Sequence, residues 1–153
     1  SFDGKQYAYV NKYQPQPGEN IADANIPLLR LSEAYLNAAE AAVKTGDNAT
    51  AVTYLDAIVH RADPDSTVKG KTLTLANVLN ERRKELVAEG HRMYDVMRNG
   101  LSIKREDIEE SAISRTRHDT PYMEYDRTFY MIVLPIPKGE IDANPNIKQN
   151  PGY

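Results

Sequence analysis

The chain has 153 residues, of which 41% are hydrophobic and 27% charged, and its formal net charge at pH 7 is −3. This length suits one domain, while the lack of a basic excess and of any apolar run of about 20 residues excludes a typical basic nucleic-acid binder and a membrane-spanning helix. Because it contains no cysteine, the chain can form no disulfide, thiolate metal site or cysteine nucleophile.

Residues 1–26 are predicted to form an extended arm. Three tyrosines alternate with polar residues there, and Pro15, Pro17 and Gly18 then interrupt any regular element. The chain opens on Ser1, without an initiator methionine or an apolar leader, so we expect either a mature protein or part of a longer polypeptide.

Residues 27–98 are predicted to be helical, starting with Pro27, a residue that suits the first turn of a helix. Apolar residues then recur at steps of three and four, which predicts one buried helical face that includes Leu28 and Leu31. Gly46 is expected to end this helix in the left-handed conformation.

A second helix should follow at once, capped by Asp47 or Asn48 and ending near Asp63. Two helices joined by so short a turn must run antiparallel. Small residues fall where the two helices would cross, and the segment Ser32–Asp63 thereby resembles a tetratricopeptide repeat. Since one hairpin cannot bury its own apolar face, either a third helix or further sequence must cover it.

A third helix is predicted from Thr74, its cap, to about Glu89, and residues 93–98 should add one or two turns. At about 100° per residue, Arg82 lies in the middle of the apolar face of this helix, with Glu85 at its edge and Glu89 two turns away. A solvated run of charges would avoid that face, so we expect these side chains to be partly buried and paired.

Two functional interpretations compete with this structural one. Glu85 and Glu89 are candidates for a glycosidase-type acid/base pair or, with His91, for a metal site. Arg82 and Arg92 oppose both, since they would neutralise the carboxylates and lower their pKa values. No Gly-rich phosphate loop, nucleophile elbow or HExxH motif occurs, so neither catalysis nor a cofactor is indicated. The predicted structural ion-pair network comprises Arg82, Glu85, Glu89, Arg92 and Asp95.

Residues 99–153 are predicted to form a loop-rich region and an irregular, proline-rich tail, with a short helix around Glu106–Ala112. The apolar run Thr128–Leu134 is expected to be a short buried strand or an extended core segment, because periodicity alone does not separate the two.

Residues 117–127 have the composition of a carbohydrate-binding loop. Two tyrosines lie three residues apart among arginine, aspartate and glutamate, and such rings stack on sugars while polar neighbours bind the hydroxyls. The alternative is that both tyrosines pack this loop onto the helices. The candidate ligand contacts are Arg117, Tyr122 and Tyr125.

Four segments, in this order, resemble the SusD/RagB family and extend the resemblance over nearly the whole chain. They are 26–37 (IPLLRLSEAYLN), 81–95 (ERRKELVAEGHRMYD), 134–137 (LPIP) and 149–153 (QNPGY). The resemblance implies a mainly helical, SusD-like fold with tetratricopeptide-like hairpins, of which residues 1–153 would be the C-terminal portion.

The resemblance also implies a function. Members are non-catalytic, lipid-anchored proteins on the outer surface of Bacteroidetes-type bacteria, where they bind glycans or other nutrients as partners of a SusC-like, TonB-dependent outer-membrane transporter. From composition and motifs, no cofactor, metal or nucleic-acid partner is predicted. The lipid anchor and signal peptide that the resemblance implies would lie outside this chain. The alternative is a protein-interaction module that docks on the transporter and has no ligand site in this half.

Overall fold

The computed structural model describes residues 10, 12–15, 17–18, 20, 26–104 and 124–153. The chain divides into two compact units, residues 1–92 and residues 93–153. Helices predominate over strands in the described part, as predicted for a mainly α chain. None of the helices in these ranges has the length and apolarity needed to cross a bilayer. The predicted helix around Glu106–Ala112 lies outside the described residues.

The predicted helical hairpin forms the centre of the first unit. Its helices are α1 (Leu31–Thr45) and α2 (Asn48–Ala62). Gly46 ends α1 with a φ of +81°, a left-handed conformation that costs glycine little. Asp47 caps α2 by accepting a hydrogen bond from the Thr50 N–H at 3.0 Å. Both ends of the turn are therefore fixed by local chemistry, as predicted.

Small residues allow the two helices to approach closely. Ala39 and Ala51 have no solvent-exposed surface, and the rings of Tyr35 and Tyr54 meet edge to face with centroids 5.3 Å apart. The hairpin thus has buried small residues where the tetratricopeptide resemblance predicted them.

A third helix covers one side of the hairpin. It is α3 (Leu75–Glu85), and it contributes to a single hydrophobic core with α1 and α2. The core therefore obtains its missing side from α3, one of the two sources predicted. The largest fully buried members of this core are Leu36, Leu55 and Val78.

Thr74 begins α3 with a reciprocal capping box. Its hydroxyl accepts from the Asn77 N–H at 3.3 Å, and the Asn77 side-chain oxygen accepts from the Thr74 N–H at 2.8 Å. We expect Thr74→Ala to lower the free energy of unfolding by about 1 kcal/mol, because it leaves helix N–H groups without an acceptor. Thr53→Ala, on the exposed surface of α2, is the control and should change it by less than about 0.5 kcal/mol. Equal effects in urea unfolding would show that the cap contributes nothing specific.

The first helix starts later than predicted, at Leu31 instead of Pro27. Arg30, the residue before it, is in an extended conformation with a φ of −147°. Leu28 and Leu31 are consequently not on the core face, and their exposed fractions are 89% and 68%. The prediction that both are buried is wrong. Leu28 lies before the helix, and the buried face of α1, which includes Leu36 and Ala39, is offset by about one residue, or about 100°, from the face that carries Leu31.

The third helix ends earlier than predicted, at Glu85. A turn follows over residues 86–90, in which Ala88 has a φ of +62° and Gly90 a φ of +79°. Left-handed backbone cannot continue a right-handed helix. Glu89 therefore lies in this turn, and its predicted position two helical turns from Arg82 is wrong.

The second unit contains most of α4 (His91–Arg98), which supplies the turns predicted for 93–98. Strands β1 (Ile103–Lys104) and β2 (Glu124–Tyr125) form a two-stranded antiparallel ladder. A short 3₁₀ helix (Tyr130–Ile132) follows, and then α5 (Lys138–Ala143), which the sequence analysis did not predict.

The apolar run Thr128–Leu134 is neither a strand nor a core segment. The Asp126 carboxylate accepts from the Thr128 N–H at 2.8 Å and its hydroxyl at 2.6 Å, which forms a turn at the start of the run. A 3₁₀ helix then follows, and Val133 and Leu134 are 59% and 80% exposed. The prediction of a buried segment is wrong because side-chain hydrogen bonding to the backbone selects a turn there.

Candidate functional site

A concave surface of the second unit lies beside Tyr125. Of the three predicted ligand contacts, Tyr125 is in the described part of the chain, whereas Arg117 and Tyr122 lie outside it. The depression has a volume of about 590 Å³ and is open to solvent. Its described lining residues are Ser102, Glu124, Tyr125, Asp126, Thr128, Phe129 and Tyr130.

The short ladder of β1 and β2 positions Tyr125. Tyr125 pairs with Ile103, and Glu124 with Lys104. The Ser102 hydroxyl donates to the Glu124 carboxylate at 3.0 Å, which ties the start of β1 to β2. The ring of Tyr125 is thus presented from paired backbone instead of from a free loop.

Three aromatic rings follow one another along this surface. The centroids of Tyr125 and Phe129 are 5.6 Å apart, and those of Phe129 and Tyr130 are 5.2 Å apart. Both pairs are tilted, an arrangement that aromatic quadrupoles favour over face-to-face stacking. A fourth ring, Tyr153, meets Tyr130 edge to face at 5.3 Å.

Polar groups accompany the rings. Hydrogen bonds from the Thr128 side chain and backbone hold the pKa of Asp126 below its ordinary range, so this carboxylate is ionised at neutral pH. Hydroxyls, carboxylates and aromatic faces together suit a ligand that has both hydroxyl groups and apolar faces. Of the three predicted contacts, Tyr125 lines this surface, and its role in binding a ligand stays a prediction.

The first unit contains a cluster of charged side chains, centred on Arg30. A guanidinium group carries five N–H donors, and Arg30 makes five hydrogen bonds. Three of them go to carboxylate oxygens, two on Glu89 at 2.7 and 2.9 Å and one on Glu85 at 2.6 Å. The other two go to the Glu85 backbone oxygen at 2.7 Å and the Ser32 hydroxyl at 2.8 Å.

Two further cations complete this arginine cluster, which we define as Lys12, Arg30, Arg61, Glu85 and Glu89. The Lys12 ammonium donates to the Glu89 carboxylate and to the backbone oxygens of Glu85 and Val87 at 2.8 and 3.2 Å. The Arg61 guanidinium donates to Glu85 at 2.6 Å. Lys12 therefore satisfies carbonyls at the C-terminal end of α3, where a positive charge is favourable.

The arrangement lowers the pKa values of both glutamates. Burial alone would raise the pKa of Glu85, but hydrogen bonds from Arg30 and Ser32 and the nearby positive charges outweigh it. Burial would likewise raise the pKa of Glu89, and hydrogen bonds from Arg30 and Lys12 outweigh it there. The pKa of Arg30 is raised in turn, chiefly by its hydrogen bond to Glu89. All three side chains are charged at neutral pH.

The cations on these glutamates differ from those predicted. Arg82 is buried, but its guanidinium donates to Asn37 at 2.6 Å. Arg92 is exposed, and the buried Asp95 accepts from Arg98 at 2.7 Å. The assignment of Arg82 and Arg92 as the neutralising cations was wrong because the turn after Glu85 redirects Glu89.

The sequence analysis missed Arg30, Lys12 and Arg61, which lie 24 to 77 residues from their partners along the chain. One available signal was the position of Arg30. It is a charged residue inside the apolar string Leu28-Leu29-Arg30-Leu31, where an arginine needs a specific partner.

The geometry of the arginine cluster opposes both competing functions for Glu85 and Glu89. A general acid needs a raised pKa, and both values are lowered. His91 does not join them but lies 3.8 Å from the Glu33 carboxylate. Within the described ranges, no group of three or more His, Asp or Glu side chains could hold a metal ion.

Comparison with known proteins gives a consistent result. The model of the SusD family matches residues 5–153. The starch-binding protein SusD of Bacteroides thetaiotaomicron is 32% identical over 148 residues, which are 95% of this chain and 24% of that protein. The chain thus spans about a quarter of the length of this curated relative.

Two solved structures are also similar. A protein from Bacteroides vulgatus, whose sugar-binding designation is provisional, shares 74% identity with a TM-score of 0.88, over 100% of this chain and 34% of the other. Surface glycan-binding protein A from Bacteroides uniformis shares 32% identity with a TM-score of 0.57, over 79% of this chain and 26% of the other.

Proposed function

This chain belongs to the SusD family, and on that basis we propose that residues 1–153 are the C-terminal part of a non-catalytic glycan-binding protein. The observation that carries the proposal is the family match over residues 5–153, together with 32% identity to a starch-binding protein. The depression beside Tyr125 supports it, since it combines aromatic rings with hydroxyl and carboxylate groups. The complete protein would act at the cell surface, anchored in the outer membrane, and deliver glycans or other nutrients to a SusC-like TonB-dependent transporter.

We propose that the ligand contacts of this half are Arg117, Tyr122 and Tyr125. The ring of Tyr125 would stack on the apolar face of a sugar, and Arg117 and Tyr122 would contribute a donor and a second ring. The ordered ladder supports this role for Tyr125, because an immobilised ring loses little conformational entropy on binding.

Titration calorimetry of the complete gene product against soluble starch, xylan, pectin and galactan tests this proposal. We expect one glycan class to bind, and Tyr125→Ala to weaken that binding by about tenfold, the loss of one aromatic contact. Tyr94→Ala is the matched control, because this tyrosine is 72% exposed on α4 and does not line the depression. Arg117→Ala and Tyr122→Ala belong in the same series.

Equal binding by the Tyr125→Ala and Tyr94→Ala variants would show that the ligand site lies outside this half. No binding to any glycan would instead favour a protein-docking role. One observation supports that second function: Leu28 and Leu29 are 89% and 87% exposed beside α1, and exposed apolar groups of this kind mark interaction surfaces. Co-purification with the transporter, lost in Leu28→Ser/Leu29→Ser but kept in Tyr125→Ala, would establish it.

A further inference from the structure

The last five residues, Gln149–Tyr153, are hydrogen-bonded to residues 133–136, the segment that follows the 3₁₀ helix containing Tyr130. We call these five residues the C-terminal clasp. The side-chain amide of Gln149 pairs with the backbone of Ile136, accepting from its N–H at 2.8 Å and donating to its oxygen at 2.9 Å. Asn150 donates to the Leu134 oxygen at 2.8 Å, and the Tyr153 hydroxyl to the Val133 oxygen at 2.9 Å.

These side-chain hydrogen bonds bind the backbone of residues 133–136 in place of the backbone hydrogen bonds of a β-ladder. Residues 133–136 follow the 3₁₀ helix directly, and Pro135 has no N–H to donate. The clasp nevertheless engages three backbone oxygens and one N–H of this segment through side chains. It therefore fixes the exit of the 3₁₀ helix that carries Tyr130.

The clasp also touches Tyr130 itself. A Cβ atom added to Gly152 would lie 2.6 Å from Cδ2 and 2.7 Å from Cγ of the Tyr130 ring, so the backbone of Gly152 lies against that ring. Gly152 has a φ of +96°, which L side chains rarely adopt. The ring of Tyr153 closes on another part of Tyr130, with centroids 5.3 Å apart and planes at 71°.

We propose that Gly152 and Tyr153 are positioning residues for ligand binding, which set the Tyr130 ring as one wall of the depression. The inference rests on the proposed function of that depression. Tyr130 is 41% exposed, and an exposed aromatic ring binds a sugar face well only where its orientation is fixed in advance. The clasp fixes it through a glycine that admits close contact and a ring that blocks rotation.

The test uses the complete gene product with Gly152→Ala and Tyr153→Leu, and Gly139→Ala as matched control. Gly139 lies in α5, and an added Cβ there would meet nothing within 4 Å. Two readouts are needed: glycan affinity by calorimetry, and the environment of Tyr130 by ¹⁹F NMR of fluorotyrosine-labelled protein. The Tyr130 signal is identified by its loss in Tyr130→Phe.

We expect Gly152→Ala and Tyr153→Leu to shift the Tyr130 signal and to weaken glycan binding by about tenfold. Gly139→Ala should change neither. Tyr153→Phe, which keeps the ring and loses the hydroxyl, should retain most of the affinity. If Gly152→Ala fails to fold, Tyr153→Leu still tests the ring contact, because it leaves Gly152 and its positive φ unchanged.

A shifted Tyr130 signal with unchanged affinity would overturn the inference and leave the clasp a purely structural feature. An unshifted signal in both variants would overturn it as well, since Tyr130 would then be positioned by other groups. Failure of the wild-type protein to bind any glycan would instead contradict the proposed function. The NMR readout alone would then decide whether the clasp sets the ring.

Discussion

Replacing Arg30 with glutamine should lower the free energy of unfolding by about 3–5 kcal/mol, because it leaves partly buried carboxylates without their main partner. The side chains of Glu85 and Glu89 are each 9% exposed, and Arg30 bonds to both. Arg30→Lys should recover only part of the loss, since an ammonium group has three donors and cannot reproduce the planar fork. Urea unfolding monitored by circular dichroism measures the change.

Arg61→Gln is the matched control for Arg30→Gln. Arg61 makes one hydrogen bond to Glu85, and its side chain is 59% exposed. Such exposed pairs contribute about 0–1 kcal/mol. If Arg30→Gln and Arg61→Gln had the same small effect, the arginine cluster would not hold the turn after α3.

The effect of Arg30→Gln should depend on pH. Both glutamates have folded-state pKa values below their ordinary value of about 4.5. Their stabilising contribution is therefore fully present above that pH and is lost as the pH falls through the lower, folded-state values. The stability difference between wild type and variant should be largest near pH 7 and should shrink below about pH 4.5. A difference that stays constant down to pH 3 would contradict the ionic origin.

Leu36→Ala should also lower the free energy of unfolding by about 2–5 kcal/mol, the range for deleting a buried leucine side chain. Leu36 has no exposed surface and belongs to the core shared by the hairpin and α3. The neighbours are held by two capped helices and can collapse only partly into the space left behind.

Leu28→Ala is the control for this substitution, since Leu28 is 89% exposed. It should change stability by less than about 0.5 kcal/mol. A large loss at Leu28 in the complete protein would show that another part of that protein covers it. A small loss at Leu36 would contradict the packing of the hairpin against α3.

Much of the helical core was predictable from the sequence because its signals are local. The left-handed Gly46, the Asp47 cap and the Thr74 capping box all act within a few residues along the chain. The positions of the alanines at the helix crossing are likewise predictable from the helical periodicity of the sequence. Local signals failed at Pro27, where the helix was predicted to begin, because tertiary bonds hold Arg30 in an extended conformation.

The candidate ligand surface was predictable in composition but not in shape. Tyr125 was identified from its neighbours in the sequence, whereas Phe129 and Tyr130 were assigned to a buried run. The short turn at Asp126 brings those rings onto the same face as Tyr125. The spacing of apolar residues along the sequence does not reveal this turn, because the turn is formed by hydrogen bonding between a side chain and the backbone.

By itself, the sequence determined the mainly helical class, the hairpin and its caps, and the motifs shared with the SusD family. The tertiary structure alone decided which cations bind Glu85 and Glu89, and how the final residues hold Tyr130. Arg30 lies 55 and 59 residues from its partners, and Gln149 lies 13 residues from Ile136. A helix cap depends on neighbours within one turn of the chain. The ion pairs of Arg30 and the hydrogen bonds of the clasp join residues that are further apart in the sequence, so they depend on tertiary packing.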